Sequence, residues 1–252
     1  MQALAGISFL CLIGASLLVG TRLLLLARRT RQLPETVLGL SLVVTMGIAY
    51  PGMILLEADL GWSSATQRAV MLALNVLIDA GFLLLFVFTA TVFRPGAAIG
   101  KAAIAAAATA FLVHLVLVAR VLSAAADLEA ARAATTGIGM LALGTASLGY
   151  AWSGTESFTH WRRLVRQQRL GLVDPVLCDR MWLWSMMSLA SLAGSAANMI
   201  YLGLGIDVLT RPDAMFITSL TGLAQGVFLW LTFLPPAFYR ATIARRAAQA
   251  AD

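Results

Sequence analysis

The sequence predicts an all-α, polytopic membrane protein, and three observations carry that prediction. Sixty per cent of the 252 residues are hydrophobic and 12% are charged, at a mean hydropathy of +0.86. A soluble domain of this size needs a larger polar skin. The charges are also bunched, which leaves long uncharged stretches that a bilayer would cover. Those stretches are apolar throughout, without the alternation of a membrane barrel strand, so they read as helices. Two Cys argue against a secreted disulfide scaffold, and the apolar content argues against disorder.

A hydrocarbon core of about 30 Å takes about 20 helical residues to cross. Seven runs reach roughly that length, predicting a single seven-helix membrane domain over 1–252 with spans at 3–27, 36–57, 68–93, 102–123, 134–152, 181–203 and 215–239. The first lacks the basic leader of a secretory signal and is followed by Arg28, Arg29 and Arg31, so it is a span. Pro34 and Glu35 suit the first turn of the second, where a missing N–H is harmless and a carboxylate meets the positive dipole end. Asp174-Pro175 repeats the device before the sixth. The fifth span is Gly-rich and the shortest. After it, over 153–172, Phe158, Trp161, Leu164, Val165 and Leu172 share one helical face opposite Arg162, Arg163, Arg166 and Arg169. That segment reads as an amphipathic interfacial helix on anionic lipid of the cytoplasmic leaflet, or as a docking surface for a cytoplasmic partner. The tail beyond Arg240 is too short for an output domain.

Cytoplasmic loops retain Lys and Arg. Basic residues follow the first, third, fifth and seventh spans: Arg28, Arg29 and Arg31; Arg94 and Lys101; Arg162 to Arg180; Arg240, Arg245 and Arg246. The opposite loops mix Arg68, Arg132 and Arg211 with Glu57, Asp59, Asp127, Glu129, Asp207 and Asp213. The expectation is an N-terminus outside and a C-terminus in the cytoplasm. The net charge of +6 then belongs to the inner face, and no nucleic-acid partner is implied. Cys11 falls inside the first span and Cys178 at the cytoplasmic entrance of the sixth, so no disulfide joins them. An Ala-rich composition with Arg over Lys suits a GC-rich bacterial genome, hence a bacterial inner membrane.

Shifting 47–94 by 146 positions lays it without gaps on 193–240, pairing Met53-Ile54 with Met199-Ile200, Phe82-Leu83 with Phe228-Leu229, Asp79 with Gln225 and Arg94 with Arg240. The match is either the trace of a three-plus-one-plus-three helix plan, with the fourth span as linker, or coincidental similarity of apolar stretches. Costly polar groups inside spans are the candidates for function. Asp79 lies near the middle of the third span with Asn75 one turn away, and His114 lies at similar depth in the fourth, where the two can share a proton. Asn198 and Gln225 are costlier than the Ser, Thr and Gly positions around them, which are ordinary packing material. Tyr50, Glu57, Asn75, Asp79, His114, Arg120, Asn198, Tyr201 and Gln225 fall in the middle or outer half of the bilayer, so an outward-opening cavity would gather them.

Catalytic signatures are missing. There is no Cys-x-x-Cys, no phosphate-binding Gly-rich loop, no paired Asp motif and no Ser matched to a His. His114 and His160 lie at different depths, so neither a metal cage nor paired haem ligands are expected. An enzyme is the least favoured class.

Three seven-helix groups share the predicted topology. Microbial rhodopsins carry an Asp in their third helix, which Asp79 resembles, but 215–239 holds no Lys and the chain's only Lys is Lys101, so no covalent retinal is expected. Pro235-Pro236-Ala237-Phe238-Tyr239 is similar to the end of the seventh helix of G-protein-coupled receptors, whereas Thr91-Val92-Phe93-Arg94 lacks their acidic-Arg-Tyr signature. SWEET-type carriers share the three-one-three plan, without their Pro-Gln dipeptide here. The run Arg169-Leu170-Gly171-Leu172-Val173-Asp174-Pro175-Val176, followed by Arg180 and Trp184, and Leu33-Pro34-Glu35 leading into Gly39, resemble loops of bacterial seven-helix membrane proteins and of seven-helix membrane sensor domains. That resemblance implies a fold and no particular ligand. The functional expectation is a receptor or sensor that binds a small molecule in the outward cavity and signals to a partner. A small-solute or proton-coupled transporter and a membrane scaffold subunit are the alternatives.

Overall fold

The computed structural model describes residues 2–56, 58, 61–125, 127–206 and 211–249. These residues are helical and contain no strand. The order is α1 (Gln2–Thr30), α2 (Leu33–Leu42), a π-helical turn (Val43–Ala49), α3 (Tyr50–Leu55), α4 (Ser64–Phe93), α5 (Ala98–Ala124), α6 (Leu128–Gln168), α7 (Pro175–Gly203), α8 (Pro212–Phe233) and α9 (Ala237–Gln249). Side-chain caps start three of the helices. Ser63 accepts the Thr66 amide at 3.2 Å before α4, Asp127 the Ala130 amide at 2.8 Å before α6, and Asp174 the Val176 amide at 2.8 Å before α7.

The second predicted span is a composite of α2, the π-helical turn and α3. Pro51 explains the irregularity. It has no N–H for the carbonyl of Gly47, and the turn before it takes the wider register, with the Tyr50 amide donating to the Thr45 carbonyl. The first part of the 153–172 segment continues α6, which runs unbroken through Gln168. It is a packed helix: Ser153, Ser157 and Leu164 are buried, while Arg162, Arg163, Arg166 and Arg169 remain exposed. The last span is corrected. It ends at Phe233, because Pro235-Pro236 supplies no donors, and the chain restarts as the short basic α9.

Among the described residues, five helices are long and apolar enough to cross a membrane: Ala3–Thr30, Leu33–Leu55, Ser64–Phe93, Ala98–Ala124 and Pro212–Phe233. Leu10, Leu18, Leu112, Leu148 and Leu189 point outward, which suits lipid and not water. A lipid bilayer is therefore the environment of this protein. The long helices α6 and α7 are diluted by Gly, Ser and Thr, and they turn many of these residues toward each other and toward the interior. Ser153, Ser157, Ser185, Ser188 and Ser191 are all buried.

Six elements close into a ring. Helix α1 packs on α2 and on α8, α2 on α4, α4 on α6, α6 on α7, and α7 on α8. Helix α5 stands outside it, packed on α4 and α6 alone among the described residues. Close approach of α2 to α4 depends on Gly81, where a β-carbon would overlap the Thr45 hydroxyl and Ser41 donates to the Gly81 carbonyl at 2.7 Å. One apolar cluster (Val19, Leu38, Leu85, Trp184, Met187, Leu229) ties both sides of the ring together, and a second (Phe82, Phe86, Ala107, Phe111, Ala146) seats α5.

Candidate functional site

The ring helices line a cavity of about 40 Å³, room for two or three waters. Every ring helix lines it and α5 does not: Ser16 comes from α1, Ser41 and Thr45 from α2 and the π-helical turn, Phe82 from α4, Tyr150 from α6, Ser191 from α7 and Gln225 from α8. Leu38, Leu42, Trp184 and Met187 complete the lining on the α2 and α7 sides.

Hydroxyl groups buried in apolar helices normally bond back to their own backbone. Thr89, Thr145, Ser157, Ser191 and Thr232 do so, donating to the carbonyl four residues earlier at 2.7 to 2.9 Å. Ser16, Thr45 and Ser188 do not. Their hydroxyls are buried without a partner, and those of Ser16 and Thr45 line the cavity. Leaving such a group unsatisfied costs about 1 to 3 kcal/mol, which water or a bound solute in the cavity would recover. Tyr150 stands beside Ser191 and within electrostatic reach of Tyr50. The Trp184 indole N–H donates to Ser153 at 2.8 Å, so the largest side chain of the wall is fixed in place.

Asp79 and His114 lie on the α5 side of α4, away from the cavity lining. They are 1% and 2% exposed, and Asp79 Oδ2 and His114 Nδ1 are 2.6 Å apart. The other carboxyl oxygen, Oδ1, has no partner. Tyr50, at the start of α3, lies within electrostatic reach of Asp79. His114 thus meets Asp79 directly, and Tyr50 lies within electrostatic reach of both Asp79 and the cavity-lining Tyr150.

The other residues singled out from the sequence are dispersed. Gln225 lines the cavity, but Asp79 and Asn198 do not join it there. Asn198 accepts from Thr218 at 3.2 Å, and Asn75 donates to the carbonyl of Met71 at 2.8 Å. Tyr201 donates to Asp213 at 3.4 Å, where Arg211 also pairs with Asp213 at 2.9 Å. Arg120 is exposed on α5, and Glu57 lies outside the described residues. Trp161 stacks against Trp182 at a centroid distance of 4.7 Å, with Phe158 beside both, forming an aromatic floor next to the exposed Arg162, Arg163, Arg166 and Arg169. Nearby, Arg94 pairs with Glu156 at 2.8 Å, and Tyr239 donates to Asp179 at 2.9 Å. Tyr150, Ser16 and Thr45 escaped the sequence reading. The one available signal was Tyr150, a polar-tipped ring inside the Gly-rich fifth span. No family model, curated protein or solved structure matches the chain.

Proposed function

We propose that the protein is a seven-span solute carrier of the bacterial inner membrane, with its N-terminus outside and its C-terminus in the cytoplasm. In this reading α1, α2/α3 and α4 form one triplet, α6, α7 and α8 the other, and α5 is the linker that lets both triplets run in the same direction. One observation carries it. The cavity is lined by all six triplet helices, and the linker is left out. A site between two repeats is where alternating access places its cargo.

The lining suggests what the cargo is. It holds hydroxyls, one amide and aromatic rings, with no carboxylate or cation among the lining residues. That chemistry suits a small, uncharged, hydrogen-bonding solute. At about 40 Å³ the site is narrow, with room for two or three waters.

Stopped-flow light scattering on proteoliposomes challenged with urea, glycerol or a pentose tests this reading. Saturable entry of at least one of them, lost in Ser191→Leu, is the expected result. Entry rates equal to those of protein-free vesicles for all three would remove the carrier reading and return the cavity to a sensor's ligand.

A further inference from the structure

We propose that Asp79 and His114 form the proton site of this carrier, taking up and releasing one proton as a unit, and that Tyr50 and the π-helical turn join that site to the central cavity. The inference rests on the carrier reading for its role in transport. Its argument stands on the pair's own geometry.

A buried ion pair that serves only stability satisfies all its atoms, because a half-satisfied pair costs more than an apolar replacement. This pair is half-satisfied. His114 Nδ1 meets Asp79 Oδ2 at 2.6 Å, and Oδ1 is buried with no donor. Placed deep among apolar helices, the pair has two protonation states that differ by one unit of net charge. With the proton, it is neutral overall, as imidazolium with carboxylate or as imidazole with carboxylic acid. Without it, the pair carries one negative charge, which costs roughly 2.5 to 3.5 kcal/mol at mid-bilayer on insertion scales. Water is the proton's donor and its acceptor, and no bond other than N–H or O–H changes.

Few other charges bear on it. Of the ionisable groups on elements packed against α4, His114 from α5 and Tyr50 from α3 interact with Asp79, and Tyr150 from α6 interacts with Tyr50. Arg120, further along α5, is exposed.

The connection to the cavity is mechanical as well as electrostatic. Thr45, with its unpartnered hydroxyl in the cavity, accepts the amide of Tyr50 through the π-helical bond. The same Thr45 packs over Gly81, two residues beyond Asp79. A π-helical turn holds one residue more than an α-helical turn, and shifting that extra residue re-aims the side chains on either side of it. Filling the cavity beside Thr45 and loading Asp79 therefore act on one adjustable segment.

The chain has two histidines, so His160→Gln leaves His114 as the single reporter. The experiment is ¹⁵N-histidine solid-state NMR of that variant, full length, in lipid nanodiscs without added solute, from pH 4 to pH 10. We expect one transition that both ring nitrogens report together. Asp79→Asn should displace it by a factor of ten or more in proton affinity, and Tyr50→Phe by a smaller amount in a protein whose pair is intact. Absence of any transition, or one unmoved by Asp79→Asn, overturns the proton site. An unmoved transition in Tyr50→Phe overturns the link to the cavity. Solute entry in the light-scattering assay without an NMR transition would sink the proton site and leave the carrier standing. A transition without solute entry would do the reverse.

Discussion

The triplet of α1, α2/α3 and α4 brings Ser16, Ser41 and Thr45 to the cavity, two of them without partners, and its middle helix changes register at Pro51. The triplet of α6, α7 and α8 brings Tyr150, Trp184, Ser191 and Gln225 on unbroken helices, with Trp184 and Ser191 already hydrogen-bonded. The first group also holds the ionisable Asp79, and the second brings the neutral Gln225 to the cavity. The two groups thus differ in polarity and in regularity. The second runs on unbroken helices, and its one buried hydroxyl without a partner, Ser188, lies outside the cavity lining. The first is polar, unsatisfied and adjustable, and unsatisfied groups at a helix irregularity mark the moving or binding side of a site.

The contrast can be broken most forcefully at the pair. His114→Leu leaves a buried carboxylate alone and should cost about 3 to 5 kcal/mol in detergent unfolding, most of it recovered when Asp79→Leu is added. If the double variant is no more stable than the single one, the pair is not coupled. Next comes the α2/α4 contact. Gly81→Ala drives a methyl group into Thr45 and should cost about 1 to 3 kcal/mol, relieved by Thr45→Ala in the same chain. In the second triplet, Trp184→Phe removes the donor to the fully buried Ser153 and should lower stability by about 1 to 2 kcal/mol. The smallest change in stability should come from Ser16→Ala and Thr45→Val. Each deletes a hydroxyl that bonds nothing, so unfolding should shift by less than about 1 kcal/mol in either direction while solute entry falls. A large loss of stability in either variant would show that its hydroxyl belongs with the structural ones of the second triplet.

Helix existence was legible because an uncharged run of bilayer length has few other uses. The runs near 3–27, 68–93 and 102–123 agree with α1, α4 and α5 to within a few residues. Helix ends were less so. The charged stretch after Trp152 reads as a break when hydropathy alone is counted, yet its arginines all lie on one side, and the other side packs on α7 well enough to keep α6 helical. Pro235-Pro236 was a visible stop signal inside an apolar run, and it won. The Asp79 and His114 partnership could be anticipated because each residue is costly at that depth and their helices are sequence neighbours. The cavity could not. Whether Asn198 or Ser16 faces inward is decided by the rotation of each helix about its axis, which packing sets, and a buried Ser used for packing looks the same in sequence as one that waits for a partner.

Helix α6 has a mechanical consequence of its own. Forty-one residues make a rod of about 60 Å, twice the thickness of a hydrocarbon core. Tyr150 sits on this rod at the cavity, and Leu164 is still clasped by its surroundings about 20 Å further along. A tilt of about 10° about the level of Tyr150 would sweep the Gln168 end through roughly 5 Å, given a lever of about 27 Å. Small rearrangements at the cavity are thereby magnified where the arginines lie, and a spin label beyond Leu164 would register them.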